Sequence, residues 1–361
     1  MTPCPEPPSP RTLLRKLMLE PTLFTPEDTG HILNHLLDPT ITPSVASGLL
    51  VGMAAHKIDM APEHIAAAAK AVRRHALLVS FPEAQASLQD TIVDIVGTGG
   101  DGHDTFNVST TAAIVAAGAG CKVAKHGNRA SSSASGSADL IMSLDIPLPA
   151  LQPHHFPTHL STGHFTFLYA QTHHPSMRNV ASIRRELGIP TIFNVLGPLL
   201  NPARPRRMVV GVRAPLLGPV IARALQLSGV EHGLVVCGEE CLDELSPAGR
   251  SFIWEFYTCD GPIHPRTVHP TEDFGLPTHP LLDVRGKGPE ENSKTLRDIL
   301  EGRTPDNDPV LDFILLNTAP LLVLSGIASS YLEGVQLARE SIRSGAALRE
   351  LEAFRAMAHE Y

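Results

Sequence analysis

Apolar positions in the first part of the chain recur at the three- and four-residue intervals of amphipathic helices. Leu13, Leu14, Leu17 and Met18 share one face of a helix expected over residues 11–20. Thr25, followed by Pro26, Glu27 and Asp28, has the order of a capped start: a hydroxyl to accept an orphan amide, a proline that lacks one, and early acids. Ile32, Leu33, Leu36 and Leu37 follow at helical spacing. Thr42-Pro43 opens another helix through Ser47, Leu50 and Met53, and Pro62 opens an alanine-rich one to about Leu77. Small residues along these helices permit close approach, so a compact helical subdomain is expected.

The period changes at Thr91. Ile92, Val93, Ile95 and Val96 form a short apolar run ending in glycines, as a buried parallel strand does. Further β runs around Cys121–Ala124, Met208–Val212 and Leu234–Cys237 alternate with helical stretches, which implies an α/β domain with a mostly parallel sheet. Residues 261–294, rich in proline, histidine and glycine, are expected to include long loops, and two helices separated near Gly345 are expected between Ser325 and His359.

Composition narrows the setting. With 361 residues, 43% of them hydrophobic, the chain can build one large domain or a large domain with a small satellite. No apolar run approaches the roughly 20 residues a bilayer-spanning helix needs. The opening MTPCPEPPSP lacks the apolar core of a signal peptide and reads as a disordered lead over residues 1–10. Five cysteines without a CxxC pair suit free thiols in a reducing compartment, so a soluble cytoplasmic protein is expected. The formal charge of -8 disfavours a nucleic-acid partner but leaves a small anionic substrate open, because local amides, cations or a metal outweigh the mean field.

Four stretches carry candidate chemistry. Asp94 to Asp101 runs a strand into Gly97, Gly99 and Gly100, where backbone amides can close around an anion. Asn107-Val108-Ser109-Thr110-Thr111 precedes an alanine-rich helix and offers a second anion site at its N-terminus. Either alone could be a turn and a cap; together, after a strand, they favour a phosphate or pyrophosphate cradle. Lys125 to Asp139 joins two cations to a dense set of small donors at a strand's end. Asp243-Glu244, after the β run ending at Cys237, suits magnesium, although acidic dipeptides in loops are mostly solvated. Arg184, in Arg184–Pro202, can pair with a substrate carboxylate or simply carry a surface charge.

In this order and spacing the stretches resemble the anthranilate phosphoribosyltransferase family. The matching runs are GTGGD at Gly97–Asp101, NVST at Asn107–Thr110, KHGNR at Lys125–Arg129, SGSAD at Ser135–Asp139, RRELGIPTIFNVLGPLLNPA at Arg184–Ala203, LDELSP at Leu242–Pro247 and EDFGL at Glu272–Leu276. The resemblance implies a helical domain at 11–88, completed by about 173–194, on an α/β catalytic domain at 89–172 and 195–361. It implies a homodimer, association with other enzymes of tryptophan synthesis as an option, and no membrane partner. It assigns 5-phosphoribosyl-1-pyrophosphate to Gly97, Thr98, Gly99, Gly100, Asp101, Thr105, Asn107, Val108, Ser109, Thr110, Lys125, Gly127, Asn128 and Ser137. Anthranilate falls to Gly97, His126, Asn128, Arg184, Gly197 and Pro198. Ser109, Asp243 and Glu244 are expected to help hold Mg2+, two ions in all. No residue is assigned as a general base, since the aromatic amine is neutral near pH 7. The chain departs from the family pattern at Gln171-Thr172-His173, at Ser182, and at Ala134, where a lysine is common.

Other readings fit part of this pattern. A pyrimidine nucleoside phosphorylase would share the architecture but not the adjacent carboxylates. A non-catalytic nucleic-acid-binding relative conflicts with the acidic balance. Eighteen histidines raise the question of zinc, but Pro157 separates His155 from His159, His173 and His174 should diverge, and exposed loop histidines are expected.

Overall fold

The computed structural model describes residues 7–130 and 134–361. The first six residues of the expected lead, and Ser131 to Ser133 of the serine-rich stretch, lie outside the described residues.

The N-terminal helices are α1 (Pro10–Leu19), α2 (Pro26–Leu36), α3 (Pro43–Ala55) and α4 (Pro62–Arg74). Each has proline in its first turn, where a missing N–H costs nothing. Thr25 and Asp28 form a reciprocal capping box, so the start read from the sequence is physically realised. Leu13 and Leu17 are buried, whereas Met18 on the same expected face is half exposed. The alanine-rich helix stops at Arg74, three residues short of Leu77, whose amide instead donates to the His173 carbonyl at 2.8 Å. A later helix, Arg178–Leu187, packs on α3, and its Asn179 Nδ2 donates to the Leu37 carbonyl at 2.7 Å.

Seven strands form one sheet in the order β3-β2-β1-β4-β5-β6-β7. They are β1 (Ile92–Gly97), β2 (Lys122–Gly127), β3 (Phe165–Tyr169), β4 (Arg207–Gly211), β5 (His232–Gly238), β6 (Ser251–Phe256) and β7 (His264–Val268). The first five are parallel; β6 is antiparallel to β5, and β7 is antiparallel to β6. The chain winds outward from β1 to β3, then returns to lay β4 on the other side of β1. That reversal opens a crevice at the carboxyl ends of β1 and β4, where open α/β sheets bind ligands.

Alternating strand residues feed two apolar clusters. Val209, Leu234 and Val236 join the helices Val108–Gly118 and Pro309–Leu324 on one face. Met208, Val210 and Val235 join the helix Leu217–Leu227 and the buried residues of α1–α4 on the other. The apolar interior of the N-terminal helices is therefore continuous with one face of the sheet. The helix Pro309–Leu324 is buried nearly all round, which explains its lack of an amphipathic stripe.

Three expectations need correction. Residues 261–294 contain an edge strand, β7, and the helix Pro289–Leu300, rather than long loops alone. The strand is polar and holds Pro265 because an edge position leaves one side without ladder bonds. Pro157 sits in the first turn of a short helix, Phe156–Thr162, which therefore includes His159. His126, His155, His159, His173 and His174 are all buried rather than exposed, each ring packed or bonded locally.

Candidate active site

The crevice is built first from glycine. Gly97 ends β1 opposite Gly211 at the end of β4. A Cβ on Gly97 would overlap the Asp243 carboxylate, and one on Gly211 would overlap the Asp243 backbone carbonyl. Bare backbone at both strand ends is what lets the loop after β5 cross above them. The Thr98 amide donates to the Gly211 carbonyl at 2.9 Å, continuing the ladder one residue past the strand. The chain then turns through Gly99, Gly100 and Gly102, with φ of 71°, 75° and 81°.

The loop after β5 holds this turn in place. The Gly99 amide donates to Asp243 Oδ2 at 2.6 Å, and the Asp243 amide donates to Asp101 Oδ2 at 3.3 Å. His103 bridges the two loops, its amide on Asp101 Oδ1 and its Nε2 within 3.0 Å of the Glu240 carbonyl. Cys241 takes a left-handed φ of 68°, turning the chain so that Asp243 points inward. Among the described residues the amides of Gly100, Asp101 and Gly102 have no hydrogen-bond partner.

Beside this loop stands the first turn of the helix Val108–Gly118. Asn107 does not cap it. Its side chain is held sideways instead: Nδ2 donates to the Ser135 carbonyl at 2.9 Å, while Oδ1 accepts from Ser135 Oγ at 3.0 Å and Asn292 Nδ2 at 2.9 Å. The first-turn amides of Ser109 and Thr110 cannot bond within the helix and so face the crevice as donors. The hydroxyls of Thr98 and Thr110 are buried without a partner among the described residues. The Val108 side chain is in the core, and its amide donates to the Phe106 carbonyl at 2.6 Å. Thr105 bridges Arg285.

The electrostatics are lopsided. Asp101, Asp243 and Glu244 converge, with Ser109 donating to Glu244. Burial, reinforced by Asp101, pushes Asp243 up to about 7. Burial and Asp243 push Glu244 well above the usual carboxylate range. Lys125 lies beneath, donating to the Ile95 carbonyl at 2.6 Å and to Ser109 Oγ at 3.4 Å. Burial pulls its ammonium down, against the pull of Asp94, Glu244 and Asp243. Asp94, in the middle of β1, is pushed up to about 6 by burial, with Lys125 opposing. Asn201 Nδ2 donates to Asp94 Oδ2 and to the Ala124 carbonyl, both at 2.8 Å, clamping β1 to β2.

Oxygen donors from two carboxylates and a hydroxyl beside free amides fit magnesium, which takes few protein ligands and completes its shell with water and substrate phosphate. Among the described residues, no group of three His, Cys, Asp or Glu is arranged to hold a metal unaided. Such a site would be completed by the anion it helps to bind.

A second group lies beyond Lys125. The His126 ring bonds the Gly197 backbone and meets His174 edge-on, with centroids 5.3 Å apart. Burial and the two neighbouring histidines push it well below its ordinary value, so the ring is neutral, and its Nε2 has no partner among the described residues. Arg184 lies over the Phe193 ring at 4.9 Å, with no ion pair or side-chain hydrogen bond among the described residues. Gly127 packs against Ser137, whose hydroxyl donates to the Asn128 carbonyl. Gln171, one of the departures, donates to Asn128 Oδ1 at 3.4 Å. Sequence reasoning gave no role to His103, Asn201 or Asn292, although an asparagine in an apolar run such as Leu199–Pro202 is itself a sign of a buried bond.

Residues 89–348 match the glycosyl transferase family, a/b domain. The chain is 51% identical to an anthranilate phosphoribosyltransferase of Schizosaccharomyces pombe over 262 residues, 73% of each chain. It is 40% identical to one from Polynucleobacter necessarius over 346 residues, 96% of this chain and 97% of the relative. The structure of the Saccharomyces cerevisiae anthranilate phosphoribosyltransferase in complex with PRPP and Mg superposes with a TM-score of 0.90, at 38% identity and 98% coverage of both chains. The same yeast enzyme in complex with 4-fluoroanthranilate gives 0.86, at 36% identity, covering 98% of this chain and 99% of that one.

Proposed function

The chain belongs to the anthranilate phosphoribosyltransferase family, and from that premise we propose how its own residues transfer the phosphoribosyl group from 5-phosphoribosyl-1-pyrophosphate to the amine of anthranilate, a step of tryptophan biosynthesis. The observation that carries the proposal is the laying of an acidic pair over an amide cradle. Carboxylates beside anion-type donors repel the substrate's phosphates unless a cation lies between them. Magnesium, held by Asp243, Glu244 and Ser109 together with the substrate, would neutralise the departing pyrophosphate. We assign two such ions, the number that the family resemblance implies.

The amides of Gly100, Asp101 and Gly102 would take pyrophosphate oxygens; Ser109, Thr110 and Lys125 would take phosphate and ribose. These donors are set before substrate arrives, so little reorganisation is needed as charge develops on the leaving group. Arg184, half-buried and unpaired, would fix the anthranilate carboxylate, and neutral His126 with Gly197 and Pro198 would border the ring. The amine attacks as a neutral nucleophile, which leaves positioning as the main contribution of the protein.

Met18, Leu19, Leu23 and Val51 are exposed apolar residues on α1, the turn after it and α3. They support a homodimer formed through these helices. No helix is long and apolar enough to cross a membrane among the described residues.

The test is direct. Purified protein with both substrates and magnesium should consume anthranilate fluorescence in step with pyrophosphate release, and a chelator should stop both. A folded protein that releases no pyrophosphate with anthranilate, but cleaves a nucleoside with phosphate, would overturn the assignment.

A further inference from the structure

At the far end of the sheet from the glycine turn, where β4 and β5 begin, lies a cavity of about 190 Å³ lined by Arg73, Pro198, Asn201, Arg204, Arg206 and Ser228, among others. Among the described residues, no carboxylate lines it. A second cavity beside it shares Arg73 and Ser228, adds Lys70, and has Glu63 as its acid. The cations are not equivalent. Arg206 is neutralised by Asp90 at 3.2 Å and Glu231 at 2.7 Å. Among the described residues, the Arg73 and Arg204 side chains make no hydrogen bond or ion pair, in a protein whose formal charge is -8.

Arg73 is in the last turn of α4, whose carbonyl end favours one cation. That does not account for Arg204 alongside. Burial and the charge of Arg204 both pull Arg73 below its ordinary value. Arg204 also holds a left-handed φ of 51° next to Pro205, a conformation that non-glycine residues adopt only at a cost. The Ser228 hydroxyl is buried there without a partner among the described residues. A half-buried Arg73, an exposed Arg204, both unpaired among the described residues, and a spare hydroxyl line one cavity, a set that suits an anion.

We propose that this cavity is a second binding site for a small oxyanion, a carboxylate or a phosphate, whose occupancy is felt at the anthranilate site. The route is short. Pro198 and Asn201 form part of the cavity wall, and Asn201 is the residue that clamps Asp94 on β1 to Ala124 on β2. This coupling rests on the reading of Gly197-Pro198 as part of the acceptor site; the binding itself does not.

The probes are inorganic sulfate and acetate, titrated calorimetrically at constant ionic strength into enzyme saturated with 5-phosphoribosyl-1-pyrophosphate and magnesium, so that the catalytic phosphate sites are filled. The comparison is Arg73→Gln with Arg204→Gln. Wild type should bind at least one probe saturably, and the double variant about tenfold or more weakly, since each lost charge-assisted bond is worth roughly a factor of ten. The preferred probe tells a phosphate-like from a carboxylate ligand. Without probe, the variant should turn over like wild type; with it, KM for anthranilate should move in wild type only. Equal binding by the two proteins would overturn the site. Binding that leaves KM unmoved would overturn the coupling.

Discussion

The Asp243 carboxylate accepts the Gly99 amide at 2.6 Å, across 144 residues of sequence, and this bond joins the acidic loop after β5 to the glycine turn after β1. It exists because Gly97 and Gly211 leave no side chain between them and Asp243. Gly211→Ala should therefore displace Asp243 rather than merely crowd the sheet. We expect a loss of about 10²-fold in kcat/KM, the scale of an ångström-level misplacement. Stability should fall by about 1–3 kcal/mol, as for other overpacked positions. Steady-state kinetics alongside chemical denaturation would check both, and wild-type kcat/KM in a folded variant would show that Asp243 tolerates the shift.

Magnesium affinity should depend on pH. Asp243 is raised to about 7, and burial and Asp243 push Glu244 well above the ordinary carboxylate range. As pH falls through 7, Asp243 takes up a proton that a cation must displace. The apparent magnesium Kd should weaken as pH falls from 8 to 6, by up to about tenfold per unit for each proton displaced. Magnesium titrations of activity at three pH values would show it. A Kd constant over that range would mean the carboxyls do not hold the ion.

Arg184 has a second, independent signature. Its guanidinium stacks on Phe193 and has no acidic partner among the described residues, so its charge is free for a carboxylate. Arg184→Ala should raise KM for anthranilate about 10–100-fold, the cost of a lost bidentate pair, and leave KM for the phosphoribosyl donor near wild type. Equal effects on both substrates would point to a structural role.

The core of the fold was legible where pattern and chemistry agree. The Thr25 capping box, the glycine end of β1 and the break at Gly345 all follow from local rules that need no tertiary context. The edge strand β7 did not, because His264, Pro265, Arg266 and Thr267 are exposed and carry no alternating pattern. The buried histidines escape the pattern for a similar reason: one ring nitrogen each of His173 and His174 bonds the Leu77 and Leu200 carbonyls, contacts made only by folding. At the site, the sequence displayed the donors but not their supports. Nothing local announces that Asn292 holds Asn107, 185 residues away, or that His103 reaches Glu240.

Those buried histidines have a consequence for acid stability. Burial and His173 pull His174 down to about 4, whereas an unfolded histidine titrates near 6.5. Its neutral burial thus contributes stability fully present above pH 6.5 and lost as pH falls toward 4, by about 3 kcal/mol at most. His174→Gln, which can still donate to the Leu200 carbonyl, should lose less stability than wild type between pH 7 and 5. Parallel denaturant midpoints for the two proteins over that range would count against a buried neutral ring.

The central claim is that the acids over the amide cradle serve catalysis through magnesium. Its most direct measurement is turnover against magnesium concentration for Asp243→Asn with Glu244→Gln, beside wild type. The account predicts a folded protein, since the change removes two unfavourably buried carboxyls, with kcat down by about 10³-fold, the scale of losing preorganised charge stabilisation, and recovery only at much higher magnesium. A variant with wild-type kcat and an unchanged magnesium requirement would contradict it.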